Sequence, residues 1–252
     1  MFQLNNFFDN KNMTCIEQLG CFRVMEHQRD LSVSPGEAET QYFAAQMNVK
    51  RRQVLCELNN TGVKLQAGAM QWMLGNINMS SGVKGAGDFL GKMVASKVTG
   101  ESASKPLYNG QGYVMLEPTY RHIILVDVSQ WGSIVLQDGL FLACDQTLQE
   151  QVVARSNVSS AVLGGEGLFN LSLSGQGIAV LESPVPKTEL IQFNLQNDVV
   201  KIDGNMAIAW SSSLQFTVEK SSKSLLGSAV SGEGFVNVYR GTGSILMAPT
   251  SK

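Results

Sequence analysis

Apolar and polar positions along this chain recur in blocks rather than in one long pattern. Three extended apolar runs stand out: Val54-Leu55-Cys56-Glu57-Leu58, His122-Ile123-Ile124-Leu125-Val126 and Leu190-Ile191-Gln192-Phe193-Asn194-Leu195. Each reads as a strand. Two of them lead to an Asp-Gly flanked by apolar runs. Ile134-Val135-Leu136-Gln137 enters Asp138-Gly139 and leaves through Leu140-Phe141-Leu142, and Val199-Val200-Lys201-Ile202 enters Asp203-Gly204. That pattern predicts hairpins. Ala67-Gly68 is the weaker form in the first block. Leu214, Phe216 and Val218 alternate with Ser213, Gln215 and Thr217, which is the period of a half-buried strand.

The blocks close in the same way. Gly165-Glu166-Gly167-Leu168-Phe169, Gly175-Gln176-Gly177 and Pro184 match Gly232-Glu233-Gly234-Phe235, Gly241-Thr242-Gly243 and Pro249. A worn copy has Gly100-Glu101-Ser102, Gly110-Gln111-Gly112 and Pro118. The Gly-Glu pairs lie 65 and 67 residues apart, and the Gly-x-Gly pairs 65 and 66. A fixed period of this length means one structural unit used repeatedly. The pattern predicts a mainly β chain of three tandem repeats, over 46–118, 119–184 and 185–249, in one compact globular unit. Their expected arrangement is pseudo-threefold, made of β-sandwich-like units, with closure favoured over a linear stack.

Residues 1–45 lie outside the period. Phe22 to Val33 reads as one or two strands. Ser34-Pro35-Gly36-Glu37 is a capping box with proline at the first helical position. It predicts a short N-terminal helix over 35–46, packed on the β body by Ala38, Tyr42 and Ala45. Short helical turns are also expected over 159–163, 225–230 and 88–98, with Val98, Leu163 and Val230 as equivalent core anchors.

Composition narrows the chemistry. The chain has 252 residues, 16% charged, with 25 glycines and a net charge of −2. No basic excess drives phosphate or nucleic-acid binding. Lys50-Arg51-Arg52 reads as a solvated strand edge. Cys15, Cys21, Cys56 and Cys144 form no C-x-x-C pair, and they read as buried or idle thiols of a cytoplasmic protein, although Cys15 and Cys21 could pair if oxidised. The start has neither a basic n-region nor an apolar h-region, so no secretory signal is expected. No apolar run approaches the ~20 residues of a membrane span.

The blocks resemble the altered-inheritance-of-mitochondria protein family, long catalogued in bacteria as a domain of unknown function. The match rests on Leu163-Gly164-Gly165-Glu166-Gly167-Leu168-Phe169, Tyr239-Arg240-Gly241-Thr242-Gly243, Gln66-Ala67-Gly68-Ala69-Met70-Gln71-Trp72 and Phe89-Leu90-Gly91-Lys92. It covers about residues 46–250. The resemblance implies a bacterial, TRAP-like β unit repeated within one chain, self-association, and no catalytic residue that carries over.

Candidate chemistry is sparse. Glu101, Glu166 and Glu233 would be equivalent under threefold pseudosymmetry and could bind a cation, but bracing of glycine-rich turns is the plainer role. Gly165, Gly167, Gly175, Gly177, Gly232, Gly234, Gly241 and Gly243 read as structural turns, because no helix and no Gly-Lys-Ser/Thr follows them. His27 and His122 lack a cysteine or carboxylate cluster, and no nucleophile motif accompanies them. Trp72, Trp131 and Trp210 occupy different register positions and read as packing residues. The expectation is a non-enzymatic oligomeric scaffold or binding protein, without cofactor, with a homotrimer favoured. A small-ligand or single-stranded RNA module and a metal-assisted enzyme are the rivals.

Overall fold

The structure, a computed structural model, describes residues 3–81, 105–154, 169–220 and 235–250. The chain is mainly β. Strands β1 (Met13–Leu19) and β2 (Phe22–His27) form a hairpin through Gly20, whose φ of 57° suits glycine. A 3-10 turn over Pro35–Glu37 then leads into helix α1 (Ala38–Gln46).

Three stretches of strand follow. The first holds β3 (Arg52–Leu65), β4 (Met70–Ser80) and β5 (Leu107–Leu116). The second holds β6 (His122–Asp127), β7 (Ser133–Leu136), β8 (Phe141–Asp145), β9 (Gln149–Ala154), β10 (Phe169–Ser174) and β11 (Ile178–Ser183). The third holds β12 (Ile191–Asp203), β13 (Ala207–Ser211), β14 (Gln215–Lys220) and β15 (Phe235–Met247). Among the described residues these strands form two curled sheets of eight and seven strands. The first sheet is built on β1-β2-β3-β8-β11-β6 with β5 and β4, and the second on β12-β15-β13-β7-β10-β9 with β14.

The order of pairing within each stretch differs from the sequence expectation. Asp138-Gly139 and Asp203-Gly204 do turn the chain, with Gly139 at φ 77° and Gly204 at φ 53°. They do not make hairpins. β7 pairs with β10 and β13, while β8 pairs with β11 and β3, so the Asp138-Gly139 turn joins the two sheets. β12 and β13 both pair with β15 and not with each other. In the first stretch β5 lies between β3 and β4; in the second β11 lies between β6 and β8, and β10 between β7 and β9; in the third β15 lies between β12 and β13. The hairpin signal reads only the local turn, and the partner that separates the two strands arrives much later in the sequence.

The Gly-x-Gly pairs also act differently from the turns expected. Gly110 and Gly112 lie inside the continuous β5, and Gly241 and Gly243 inside β15; only Gly175 and Gly177 separate two strands, β10 and β11. All six have positive φ, from 112° to 158°. Each pair marks the bend of a long strand. Opposite them the facing chain also kinks, at Asn60 (φ 54°), Gly132 (φ 68°) and Asn197 (φ 52°). The bends in the second and third stretches are braced by side chains. Asp145 Oδ2 accepts from Ile178 N at 2.7 Å, and Ser211 Oγ accepts from Ser244 N at 3.0 Å. Thr147 and Ser213 donate to the carbonyls of Gln176 and Thr242 at 2.6 and 2.8 Å.

Two ladders link the stretches. β3 pairs with β8 through Val63↔Asp145, Lys64↔Cys144 and Leu65↔Ala143. β7 pairs with β13 through Ile134↔Ser211, Val135↔Trp210 and Leu136↔Ala209. Each is extended by the same two backbone bonds. Gln66 N and Gln146 N donate to Leu142 O and Gly62 O, as Gln137 N and Ser212 N donate to Ile208 O and Ser133 O.

The core follows the strands. Phe22, Val54, Val63, Leu65, Val114 and Val180 form one fully buried cluster. Ile134, Leu136, Leu173, Leu181 and Ala209 form a second. Trp210, Phe216 and Tyr239 form an aromatic group in the third, with the Trp210 and Phe216 rings stacked 5.6 Å apart. The helix contributes less than its pattern predicts. α1 buries none of its residues, and Tyr42 and Phe43 are each 59% exposed. Ser34 Oγ bonds Glu37 Oε2 at 2.7 Å, but no side chain caps a backbone N–H.

Candidate functional site

The three glutamates that stand out in the sequence, Glu101, Glu166 and Glu233, all lie outside the described residues. So do Gly165, Gly167, Gly232 and Gly234, the anchors Val98, Leu163 and Val230, and the expected helical turns over 88–98, 159–163 and 225–230. Among the described residues no cluster of three or more His, Cys, Asp or Glu is placed to hold a metal ion. Gly175, Gly177, Gly241 and Gly243 lie at the strand bends described above.

The structure instead brings together charges at the foot of α1. A cleft of about 460 Å³ lies between the helix and the ends of β2 and β3, lined by Asp30, Leu31, Tyr42, Ala45 and Lys50 among others. Its volume is within the range of small-molecule sites. Beside the cleft, and sharing Asp30 and Lys50 with it, the charges form a brace. Arg52 is 2% exposed and Glu26 is 7% exposed. Arg52 Nε donates to Glu26 Oε2 at 3.0 Å, and one of its terminal nitrogens reaches Asn48 Oδ1 at 2.6 Å. Lys50 Nζ donates to Glu26 Oε1 and Gln28 Oε1, both at 3.1 Å. Arg51 approaches Asp30 at 3.7 Å. Lys50-Arg51-Arg52 is therefore not the solvated edge expected from sequence. The carboxylates that neutralise it lie more than twenty residues earlier, at Glu26 and Asp30, where a linear charge count does not pair them.

Asp30 is the most perturbed group here. The Ser32 hydroxyl at 2.6 Å, then the Tyr120 hydroxyl at 2.7 Å, hold its carboxyl down to about 2 from an ordinary 3.8. The folded-state pKa is below the unfolded one, so this stabilisation is present above about pH 4 and lost as pH falls toward 2. Asp30→Asn should therefore lower the melting temperature at pH 7, and the gap from wild type should shrink as pH falls through that window. A gap that stays constant from pH 6 to pH 2 would remove Asp30 as the cause.

Burial, and then Asp145, push the Cys21 thiol up to about 12, with Sγ 3.6 Å from Asp145 Oδ1. Burial raises Cys56 and Cys144 as well. All four cysteines are free, Cys15 exposed and Cys56 and Cys144 buried. Low-pKa thiolates, not raised ones, are nucleophiles. His27 Nε2 lies 3.0 Å from Gln53 Oε1, and His122 opens β6 opposite Ser183. Trp72, at the edge of a buried Met25–Leu55–Met115 cluster, meets Phe7 edge-on at 5.8 Å.

Residues 45–250 match the model of the family described as mitochondrial biogenesis AIM24. The chain belongs to the AIM24 family. An uncharacterized protein of Streptococcus pyogenes serotype M6 is 30% identical to this AIM24-family chain over 191 residues, 73% of this chain and 75% of that one. The crystal structure of a Streptococcus pyogenes protein solved by structural genomics is similar, with a TM-score of 0.59 and 27% identity. That likeness covers 81% of this AIM24-family chain and 90% of the other. Neither comparison indicates a specific biochemical function. No described helix is long and apolar enough to cross a membrane.

Proposed function

We propose that this AIM24-family protein is a non-enzymatic scaffold made of three tandem copies of one TRAP-like β unit, and that it assembles with further copies of itself. The observation that carries the reading is the linking ladder, made twice with the same residue-for-residue register. The bonds within each stretch support it. A bulge at Gln71, Leu142 and Ile208 interrupts the pairing of β4 with β5, β8 with β11 and β13 with β15. Glu117 N, Glu182 N and Ala248 N donate to Ala69 O, Leu140 O and Met206 O at 2.7, 2.7 and 2.8 Å. Chance does not place a bulge, a closing bond and a pair of positive-φ glycines together three times. Three copies also explain the pairing order, since each repeats the inserted last strand.

The scaffold reading fits the chemistry. The buried charges among the described residues are engaged in bracing, and the reactive thiolate form is suppressed at Cys21, Cys56 and Cys144. A β body with free edges must have them paired or covered. Light scattering of the purified protein is expected to give an integer multiple of the 27.3 kDa chain, with three the favoured multiple. A clean monomer at micromolar concentration would contradict it.

A further inference from the structure

The two linking ladders define a rule, and the rule leaves two edges over. In each link, the strand that runs into the turn glycine of one stretch (Gly68 or Gly139) pairs with the strand that leaves the turn glycine of the next (Gly139 or Gly204). β3 does this with β8, and β7 with β13. Two strands have no such neighbour. Among the described residues β12 pairs with β15 alone, and β4 with β5 alone. At residues 71–75 and 199–203 no other backbone–backbone bond is made among the described residues; Val199 N donates to Asp198 Oδ1 at 2.8 Å.

We propose that these two edges are the halves of one interface, and that copies of this chain join head to tail through it, β12 of one copy against β4 of the next. The inference rests on the tandem-copy reading, which fixes the register. Val63 and Ile134 correspond to Val200, through their partners Tyr108, Leu173 and Tyr239 in the last strands. Asp145 and Ser211 correspond to Leu74. The interface ladder is therefore Val200↔Leu74, Lys201↔Met73 and Ile202↔Trp72. The two extending bonds become Asp203 N to Gln71 O and Gly75 N to Val199 O.

The backbone is oriented for this. In the existing links the outward-facing amides belong to residues 66 and 146, and to 137 and 212. By the two-residue alternation of a strand, the N–H groups of Lys201, Asp203, Met73 and Gly75 point the same way. Burial agrees. Cys144 and Trp210 are 0% and 4% exposed in their links, whereas Met73, their counterpart, is 46% exposed. Val199 on the other edge is 45% exposed. A bare strand edge with apolar side chains is a template for another strand. A second copy of this chain is the occupant whose register matches at five consecutive positions. The contact is heterologous, so it makes a ring if the rotation closes and a filament if it does not.

Proline tests it without touching the internal ladders, because the amide it removes faces outward on an edge strand. Met73→Pro and Lys201→Pro should each be monomeric by light scattering at concentrations where wild type is assembled. Mixed one to one, the two variants should give a dimer and nothing larger, because each carries one intact edge. Met73→Cys mixed with Lys201→Cys should form an intermolecular disulfide. Assembly unchanged in both proline variants overturns the proposal, and so does a mixture that stays monomeric and unlinked. A mixture that forms species beyond the dimer also overturns it. The parent reading is tested separately. Lys64→Pro and Val135→Pro put the same change in the two internal links, and each should lower the melting temperature well below that of Lys201→Pro. If they do while the edge variants still assemble, the copies stand and the interface falls. If the internal prolines are as mild as Lys201→Pro, the tandem reading itself fails.

Discussion

Alanine at Gly112 is expected to be the most damaging single-methyl change in the described part of this protein. Gly112 faces Gly75 across the β4–β5 ladder, at a point where both chains bend. A Cβ there would lie 2.0 Å from Leu74 O and 3.0 Å from the Gly75 Cα, both backbone atoms. Backbone cannot swing aside as a long side chain can. The φ of 149° adds strain for any L side chain. Ladder separation and strain together should cost about 3–5 kcal/mol, which for a chain of this size lowers the melting temperature by roughly 10 °C. Gly139→Ala is the control. Its φ of 77° is also unfavourable, but nothing lies within 4 Å of the added methyl. It should cost about 1–2 kcal/mol. Equal melting temperatures for the two variants, read by circular dichroism, would refute the close-approach account.

The second large effect is expected at Arg52. Removing it leaves Glu26, 7% exposed, with Lys50 as its remaining cation. A buried carboxylate stripped of its bidentate-capable partner typically costs about 3–5 kcal/mol. The surviving Lys50 contact places Arg52→Met toward the lower end. Asn48 also loses the bonds to its carbonyl and side chain at the end of α1. The double variant Glu26→Met/Arg52→Met removes both charges and should recover most of the loss, because the desolvation penalty leaves with them. Chemical denaturation of the single and double variants measures this directly. A double variant no more stable than the single would mean that Arg52 acts through packing.

Several features of the fold are legible in the sequence for a physical reason. Glycine is favoured where φ is positive, so the recurring pairs Gly110 and Gly112, Gly175 and Gly177, and Gly241 and Gly243 mark the places where the chain bends. Extended apolar runs place β6 and β12, alternation places β14, and the capping box places α1 to within a few residues. What the sequence hides is pairing. Asp138-Gly139 has the composition of a hairpin turn, and only the position of β11 shows that it is a bridge between sheets. β1 escapes notice because its residues are mixed, with two of seven half-buried and the rest exposed. The brace at Glu26, Asp30, Lys50 and Arg52 is invisible because its halves come from separate strands and a helix end. Of the glutamates singled out, none lies in the described residues, and no other candidate site could be read from residue types and spacing.

The inserted last strand has a consequence during synthesis. Strands one and two of each stretch leave the ribosome first, yet neither has a direct partner in the other. They must wait, with apolar edges open, until the closing strands arrive: β5, then β10 with β11, then β15. Folding of each stretch is thus gated by its own C-terminal end, as is typical of topologies dominated by non-local pairing. A nascent chain halted at residue 160 would hold β6 to β9 without β10 and β11, and would be a sticky, chaperone-dependent species rather than a smaller folded one.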